Sequence, residues 1–147
     1  MKKPEYYISL LILLLTAGLL FYIFFLLLYP FTPFVINEQP VPILTKKITA
    51  GDDVIYSVNY CRNDEGSTQV SRSIIGPEIF VTPSVNSVVK KGCSIATIHL
   101  LTPKSLKPGI YHILVSADFH PNFIRTITTN FESEEFEVIS ASQLGKL

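Results

Sequence analysis

The sequence of 147 residues contains no Trp, and it has only one Met and two Cys. It also lacks an excess of either charge, because Lys and Arg number 12 and Asp and Glu number 12. Without a basic surface the chain is poorly suited to nucleic acid, and we predict no nucleic-acid partner. No Asn-x-Ser/Thr sequon occurs, which favours a bacterial, archaeal or phage source over a glycosylated eukaryotic surface protein.

Motifs of catalysis are missing as well. The sequence has no Gly-x-Ser-x-Gly, no Gly-rich phosphate loop and no Cys-x-x-Cys. We therefore predict that the chain is not an enzyme, with no catalytic residue, no cofactor and no metal ion. One alternative is a metal carrier that uses His99 and His112 on facing strands, and another is a calcium site in the acidic segment 132–137. Solvent-facing charges that protect a sheet edge are the simpler interpretation of that segment.

One long segment carries no charged residue at all. From Tyr6 to Tyr29 the residues are mainly Leu, Ile and Phe. As a helix this segment extends about 36 Å, enough to cross a hydrocarbon core about 30 Å thick. We predict a transmembrane anchor helix over 6–29 that contacts the lipid bilayer. A cleaved signal peptide is the alternative, but the segment is about twice as long as a usual h-region and has no small-residue cleavage site at its end.

The flanks of this helix predict its orientation. Lys2 and Lys3 precede it, and the next basic residue is Lys46. The positive-inside rule then predicts a single-pass protein of the cytoplasmic membrane, with residues 1–5 in the cytoplasm. The rest of the chain is expected outside, in the periplasm or the extracellular space.

Two kinds of sequence follow the helix. Residues 30–42 contain four prolines and predict a semi-rigid extended stalk, with a first edge strand as the alternative. Residues 43–139 alternate apolar and polar positions between turn signals, a pattern that predicts about seven short strands in a two-sheet antiparallel sandwich. Residues 140–147 are left as a C-terminal tail.

The most specific local motif is formed by Leu106, Pro108, Gly109 and Tyr111. It resembles the Leu-x-Pro-Gly-x-Tyr corner that precedes the penultimate strand in many immunoglobulin-like and fibronectin type III-like domains. The resemblance implies an immunoglobulin-like β-sandwich in which the Tyr111 ring packs inward and its hydroxyl group bonds backbone near the corner. The chain lacks the core Trp of antibody-type domains.

The two cysteines lie at the ends of predicted strands. Cys61 ends one strand and Cys93 begins another. If these are the second and fifth strands of such a sandwich, they are antiparallel neighbours in one sheet, and the two sulfur atoms meet. We predict a structural disulfide bond, which indicates an oxidising compartment.

The candidate binding loop is the turn that contains His120, Pro121, Asn122, Phe123 and Arg125. Arg and aromatic residues are enriched at interfaces, although the same apolar residues are equally consistent with the start of an inward-packed strand. The sequence predicts a membrane-anchored, extracytoplasmic immunoglobulin-like module with a non-enzymatic binding or structural role and a protein partner. The alternatives are an accessory subunit or assembly factor of a membrane protein complex, and a small phage-encoded envelope protein.

Overall fold

A computed structural model describes residues 4–28, 34–63, 66–89, 91–120 and 124–140. Its only helix in these ranges, α1 (Pro4–Leu28), comes first. Within it, Tyr6–Leu28 is long and apolar enough to cross a membrane, and none of it is buried against the rest of the chain. A signal sequence near an N-terminus has the same length and composition, so this helix fits both descriptions.

The remainder of the described chain consists of strands and loops. The strands are β1 (Phe34–Ile36), β2 (Lys47–Thr49), β3 (Asp53–Arg62), β4 (Gly66–Ile75), β5 (Ile79–Val81), β6 (Val85–Val89), β7 (Gly92–Leu101), β8 (Gly109–Phe119), β9 (Ile127–Glu132) and β10 (Phe136–Ile139). The protein is therefore mainly β with one N-terminal apolar helix, as the sequence predicts.

The strands form two open sheets. The smaller has the order β1-β3-β7, and the larger has the order β2-β10-β8-β4-β5, with β6 paired to β4 and β9 paired to β8. All strand pairs are antiparallel except β2 with β10, which is parallel. The expectation of a purely antiparallel sandwich is wrong at this edge, because β2 runs in the same direction as the last strand, β10.

The core lies between the two sheets. Strand β3 contributes Val54, Tyr56 and Val58, which pack with Ile113 and Val115 of β8 in one buried cluster. These residues are the alternate positions of their strands, so period two in the sequence directs one face of each strand inward. The burial pattern of β8 alternates without a break from Tyr111 to Phe119.

The number of strands exceeds the seven expected. One reason is an interruption in the last long segment, which divides into β9 and β10 around Ser133. The Ser133 hydroxyl accepts a hydrogen bond from the Ile113 amide (2.8 Å) and donates one to the Glu134 carbonyl (2.7 Å). A side-chain oxygen thus takes the place of a backbone acceptor in the ladder, and the strand is interrupted there.

The segment predicted as a stalk over 30–42 is corrected from Phe34 onward. Phe34–Ile36 forms the edge strand β1, which pairs with β3 from Arg62 to Tyr60. Val41 is buried, donates its amide to the Glu132 carbonyl and accepts from the Glu134 amide, both at 2.8 Å. Packing these apolar residues against the sheets removes their surface from water, which is more favourable than an exposed extended segment.

Candidate functional site

A cleft of about 200 Å³ lies between the two sheets. It is lined by inward-facing residues of both sheets, including Ala96 and Ile98 of β7 and Ser87 of β6. Most of its remaining wall is aromatic or aliphatic, with rings from Phe34, Tyr60, Phe119 and Phe131. A partly open, mainly apolar cleft with a few polar groups is a common form of a ligand site.

The first polar group in the cleft is a pair formed by Arg72 and Tyr56. Arg72 donates from Nε to the Tyr56 hydroxyl oxygen at 2.8 Å. Burial raises the pKa of Tyr56, while the charge of Arg72 and its hydrogen bond act in the opposite direction. The hydroxyl group therefore stays protonated at neutral pH and keeps its own hydrogen atom for donation.

The second polar group is the hydroxyl of Thr68. The side chain is only 3% exposed, and its Oγ1 atom has no hydrogen-bond partner among the described residues. A buried hydroxyl left without a partner costs free energy, and it marks a place where a further polar atom is accommodated.

A second arginine lines the same cleft. Arg62 is buried, and its guanidinium carbon lies 5.5 Å from the centre of the Phe119 ring, a cation–π geometry. Among the described residues that line the cleft there is no Asp or Glu, and the two charged side chains described there are both positive. The sequence analysis missed both arginines. The sequence pattern could have identified them. Arg62 and Arg72 each occupy a core-facing position of a strand whose other core-facing positions are mostly apolar.

Beside the cleft lies an exposed sheet edge. Strand β7 is the last strand of its sheet, and no strand of the described chain pairs with its outer edge. Its ten residues contain no Lys, Arg, Asp, Glu or Pro, and Ile95 and Leu101 are each 68% exposed. Long uncharged edges of this kind are templates for another strand, and most proteins block them with charges, prolines or bulges.

The register fixes which backbone groups of β7 face outward. The amides of Ile55 and Ser57 bond groups on the opposite side of β3, so their partners in β7 are not hydrogen-bonded to β3. These partners are His99 and Thr97. Because the pattern alternates, the odd-numbered residues of β7 direct their N–H and C=O groups to the free edge.

The predicted disulfide bond holds one end of this edge. Cys61 and Cys93 are directly opposite each other in the β3–β7 ladder, and their sulfur atoms are bonded at 2.05 Å. The prediction that these strands are antiparallel neighbours in one sheet is confirmed. The bond ties β7 to β3 covalently, so the edge is presented as a fixed strand.

The predicted corner lies away from the cleft, at the start of β8. The Tyr111 ring is buried, and its hydroxyl group donates to the Lys107 carbonyl at 2.9 Å, which is the bond that the motif predicts. Leu106 is buried as well. Gly109 passes so close to Pro77 that a Cβ atom there would lie 2.8 Å from the Pro77 ring. This corner positions β8 and therefore one wall of the cleft.

The structure brings the other candidate residues into no single site. His99 and His112 lie on strands of different sheets, and the nearest carboxylate oxygen to His99 belongs to Asp53 at 3.8 Å. Within the described ranges no group of three or more potential metal ligands occurs. Of the candidate loop, His120 is exposed and near Thr126 Oγ1 (3.1 Å), Arg125 is partly exposed, and residues 121–123 lie outside the described residues.

Comparisons with known proteins give likeness of fold only. No family model matches the sequence, and no curated protein does either. A family 123 glycoside hydrolase from Clostridium perfringens is similar over 71% of this chain and 24% of its own, with 14% identity and a TM-score of 0.46. A β-glucosidase from Listeria innocua is similar over 72% of this chain and 16% of its own, with 12% identity and a TM-score of 0.39. The chain thus spans a quarter or less of these structures.

The prediction that the chain is not an enzyme is corrected, because both of these similar structures belong to glycosidases. The missing sequence motifs do not support that exclusion, since catalytic residues are recognised by geometry rather than by one sequence pattern. The likeness is a weak resemblance of fold and assigns no glycosidase activity to this chain.

Proposed function

We propose that this chain is a membrane-anchored binding module that presents an immunoglobulin-like sandwich to a partner protein outside the cytoplasmic membrane. The partner adds an extended segment to the free edge of β7. The observation that carries the proposal is that ten-residue edge. It contains no Lys, Arg, Asp or Glu, it pairs with no other strand among the described residues, and it is held at one end by the disulfide bond between Cys61 and Cys93.

The strand order supports the immunoglobulin-like assignment. The orders β1-β3-β7 and β10-β8-β4-β5 correspond to strands A-B-E and G-F-C-C′ of that fold. The bond from Tyr111 to the Lys107 carbonyl corresponds to the tyrosine corner before strand F. In the constant-type arrangement a strand D flanks strand E, and here the equivalent edge is the exposed side of β7.

The external location rests on two features of the chain. The apolar helix α1 is preceded in the sequence by Lys2 and Lys3, so the positive-inside rule directs the β domain outward. The disulfide bond fits the periplasm or the extracellular space, where such bonds persist.

A pair of matched substitutions tests the proposal. Ile95 on β7 and Ile79 on β5 are both 68% exposed, so replacing either with Lys leaves the core intact. The full-length chain is crosslinked in native membranes, and the co-purifying proteins are quantified by mass spectrometry. We expect Ile95→Lys to lower recovery of the partner by about tenfold or more, because a charge on the edge blocks strand addition, while Ile79→Lys retains it.

Two results contradict the proposal. One is equal recovery of the same partner by both variants, which places the contact elsewhere. The other is recovery of the chain alone or only with copies of itself.

An accessory subunit docked through its helix is the second candidate. Its specific support is the cluster Thr16-Ala17-Gly18, where small side chains permit close approach of another helix. The Thr16 hydroxyl bonds the carbonyls of Ile12 and Leu13 within its own helix, at 3.0 and 2.9 Å, so it needs no partner helix. Replacing α1 with an unrelated apolar helix separates the candidates: a plain anchor keeps the partner, and a docked helix loses it.

A further inference from the structure

We propose that the cleft between the sheets binds a small, elongated aryl carboxylate whose far end carries a hydroxyl group. The carboxylate lies at Arg72 and Tyr56, the ring lies against the apolar wall, and the hydroxyl group lies at Thr68. This site is distinct from the edge of β7 and does not depend on a protein partner.

The size of the cleft sets the size of the ligand. An apolar cavity of about 150 Å³ holds one benzene molecule. The cleft has about 200 Å³, so it accommodates one six-membered ring with a short acid arm. The wall beside the ring is formed by Val58, Val70 and Val115 together with Ala96 and Ala117, which leave room at the centre.

The charges of the cleft select an anion. Arg72 donates a hydrogen bond from Nε to the Tyr56 hydroxyl group. No carboxylate of the described chain lies within ion-pair distance of the Arg72 guanidinium group. Tyr56 accepts that bond and retains its own hydrogen atom as a donor. Two donors from adjacent side chains match the two oxygens of a carboxylate, and an arginine fork is the strongest common partner for that group.

The buried hydroxyl group of Thr68 indicates a polar group at the far end of the ligand. Thr68 and Arg72 face the same side of β4, four residues apart, which corresponds to about 13 Å along the strand. The Thr68 Oγ1 atom is buried in the cleft without a partner among the described residues. A ligand that extends from Arg72 along β4 reaches it with its far end, and a hydroxyl group there satisfies both hydrogen-bonding groups.

A second depression of the described surface does not compete with this site. It is lined by Gln39, Pro40, Leu114, Asn130, Phe131 and Glu132, and four of these six residues are exposed. The one charged side chain among these lining residues is the carboxylate of Glu132, so this depression lacks a cation to pair with an anion.

Three related probes test the assignment: 3-(4-hydroxyphenyl)propionate, its amide, and 3-phenylpropionate, which lacks the hydroxyl group. Each is titrated against the full-length chain in lipid nanodiscs, and methyl resonances of Thr68 and Val70 are followed by NMR. These methyl groups line the cleft, so their shifts report binding there and not partition of the probes into lipid. At probe concentrations up to about 10 mM, suited to weak ligands of this size, we expect saturable shifts with the acid.

The test compares the affinities of the three probes for the unaltered chain with their affinities for single-residue variants. We expect the amide to bind about tenfold more weakly than the acid, and Arg72→Gln to remove that difference. We expect Thr68→Val to remove the preference for the hydroxylated acid while leaving the acid–amide difference intact. Lys104→Gln, an exposed lysine that does not line the cleft, serves as the matched control and retains both preferences.

Either of two outcomes overturns the proposal. One is equal binding of the acid and the amide by the unaltered chain. The other is the absence of a saturable shift at Thr68 and Val70 with any probe. Neither outcome bears on partner recovery by Ile95→Lys, so failure here is separable from failure of the proposed function.

Discussion

The hydroxyl group of Tyr111 donates a hydrogen bond to the backbone carbonyl of Lys107, four residues earlier in the chain, at 2.9 Å. The bond closes the corner between β7 and β8, and the buried Tyr111 ring stacks near Phe136 of β10 with 6.1 Å between ring centres. The Lys107 side chain pairs with Glu78 next to β5, which raises the pKa of Lys107. Through its hydroxyl group and its ring, Tyr111 thus connects the loop before β8, β8 itself and β10.

Removing this hydroxyl group should destabilise the domain without changing its fold. For Tyr111→Phe we expect a loss of about 1–2 kcal/mol in the free energy of unfolding, because a buried bond is lost and the ring remains. Thermal or denaturant unfolding of the full-length chain in detergent measures it. Tyr60→Phe is the control, since the Tyr60 hydroxyl makes no hydrogen bond among the described residues. Equal stability of the two variants would show that the corner bond is unimportant.

The corner is also intolerant of added volume at Gly76. A Cβ atom there would lie 2.4 Å from Tyr111 Cδ1 and 2.6 Å from the Ile110 carbonyl oxygen. We expect Gly76→Ala to lower the free energy of unfolding by about 2–3 kcal/mol, because ring and backbone must both shift. Gly18→Ala in α1 is the same substitution in open space and should leave the unfolding midpoint of the β domain unchanged. A neutral Gly76→Ala would contradict this packing.

Reduction of the disulfide bond should weaken the domain. Cys61 and Cys93 are separated by 32 residues, and closing a loop of this length contributes about 3–4 kcal/mol on the chain-entropy model. We expect the unfolding midpoint to fall when the chain is treated with a reductant. The double variant Cys61→Ser, Cys93→Ser should have the lower midpoint already and should not respond to the reductant.

The same cysteines report the compartment. Protein taken from cells under thiol-blocking conditions should react with a maleimide only after reduction, as expected for a domain in an oxidising compartment. Reaction before reduction would place the domain in a reducing compartment and contradict the proposed orientation.

The contribution of Glu134 to stability should depend on pH. Its carboxylate accepts bonds from the Lys46 ammonium group and, at 3.2 Å, from the Ile43 amide, and these lower the pKa of Glu134 below its ordinary value of 4.5. A lowered pKa in the folded state means that the contribution is complete above pH 4.5 and disappears as the pH falls through the lower folded-state value.

Unfolding of Glu134→Gln measures this contribution. We expect the unaltered chain to be more stable than the variant at pH 7, and the difference to vanish in acid. Glu135→Gln, one position along and exposed, is the matched control and should be as stable as the unaltered chain at pH 7. A difference that is independent of pH would mean that the charge of Glu134 is not involved.

Local patterns were sufficient for several features. The uncharged run from Tyr6 to Tyr29 predicts a helix able to cross a membrane, because helix rise and apolar length fix that property without any long-range contact. Alternation predicts the strands, since side chains of a strand point to opposite faces. The corner at Tyr111 and the pairing of Cys61 with Cys93 follow from short motifs and strand order.

The functional surfaces required the tertiary structure. Strand β7 has the same alternating pattern as its neighbours, and only the pairing of all described strands leaves one of its edges free. Arg62 and Arg72 are ordinary strand residues until the two sheets pack, and then they share one cleft with the buried hydroxyl of Thr68. The sequence determined the secondary structure and the anchor because those depend on local geometry. The edge and the cleft depend on which strands pair across long separations, and only the folded chain decides that.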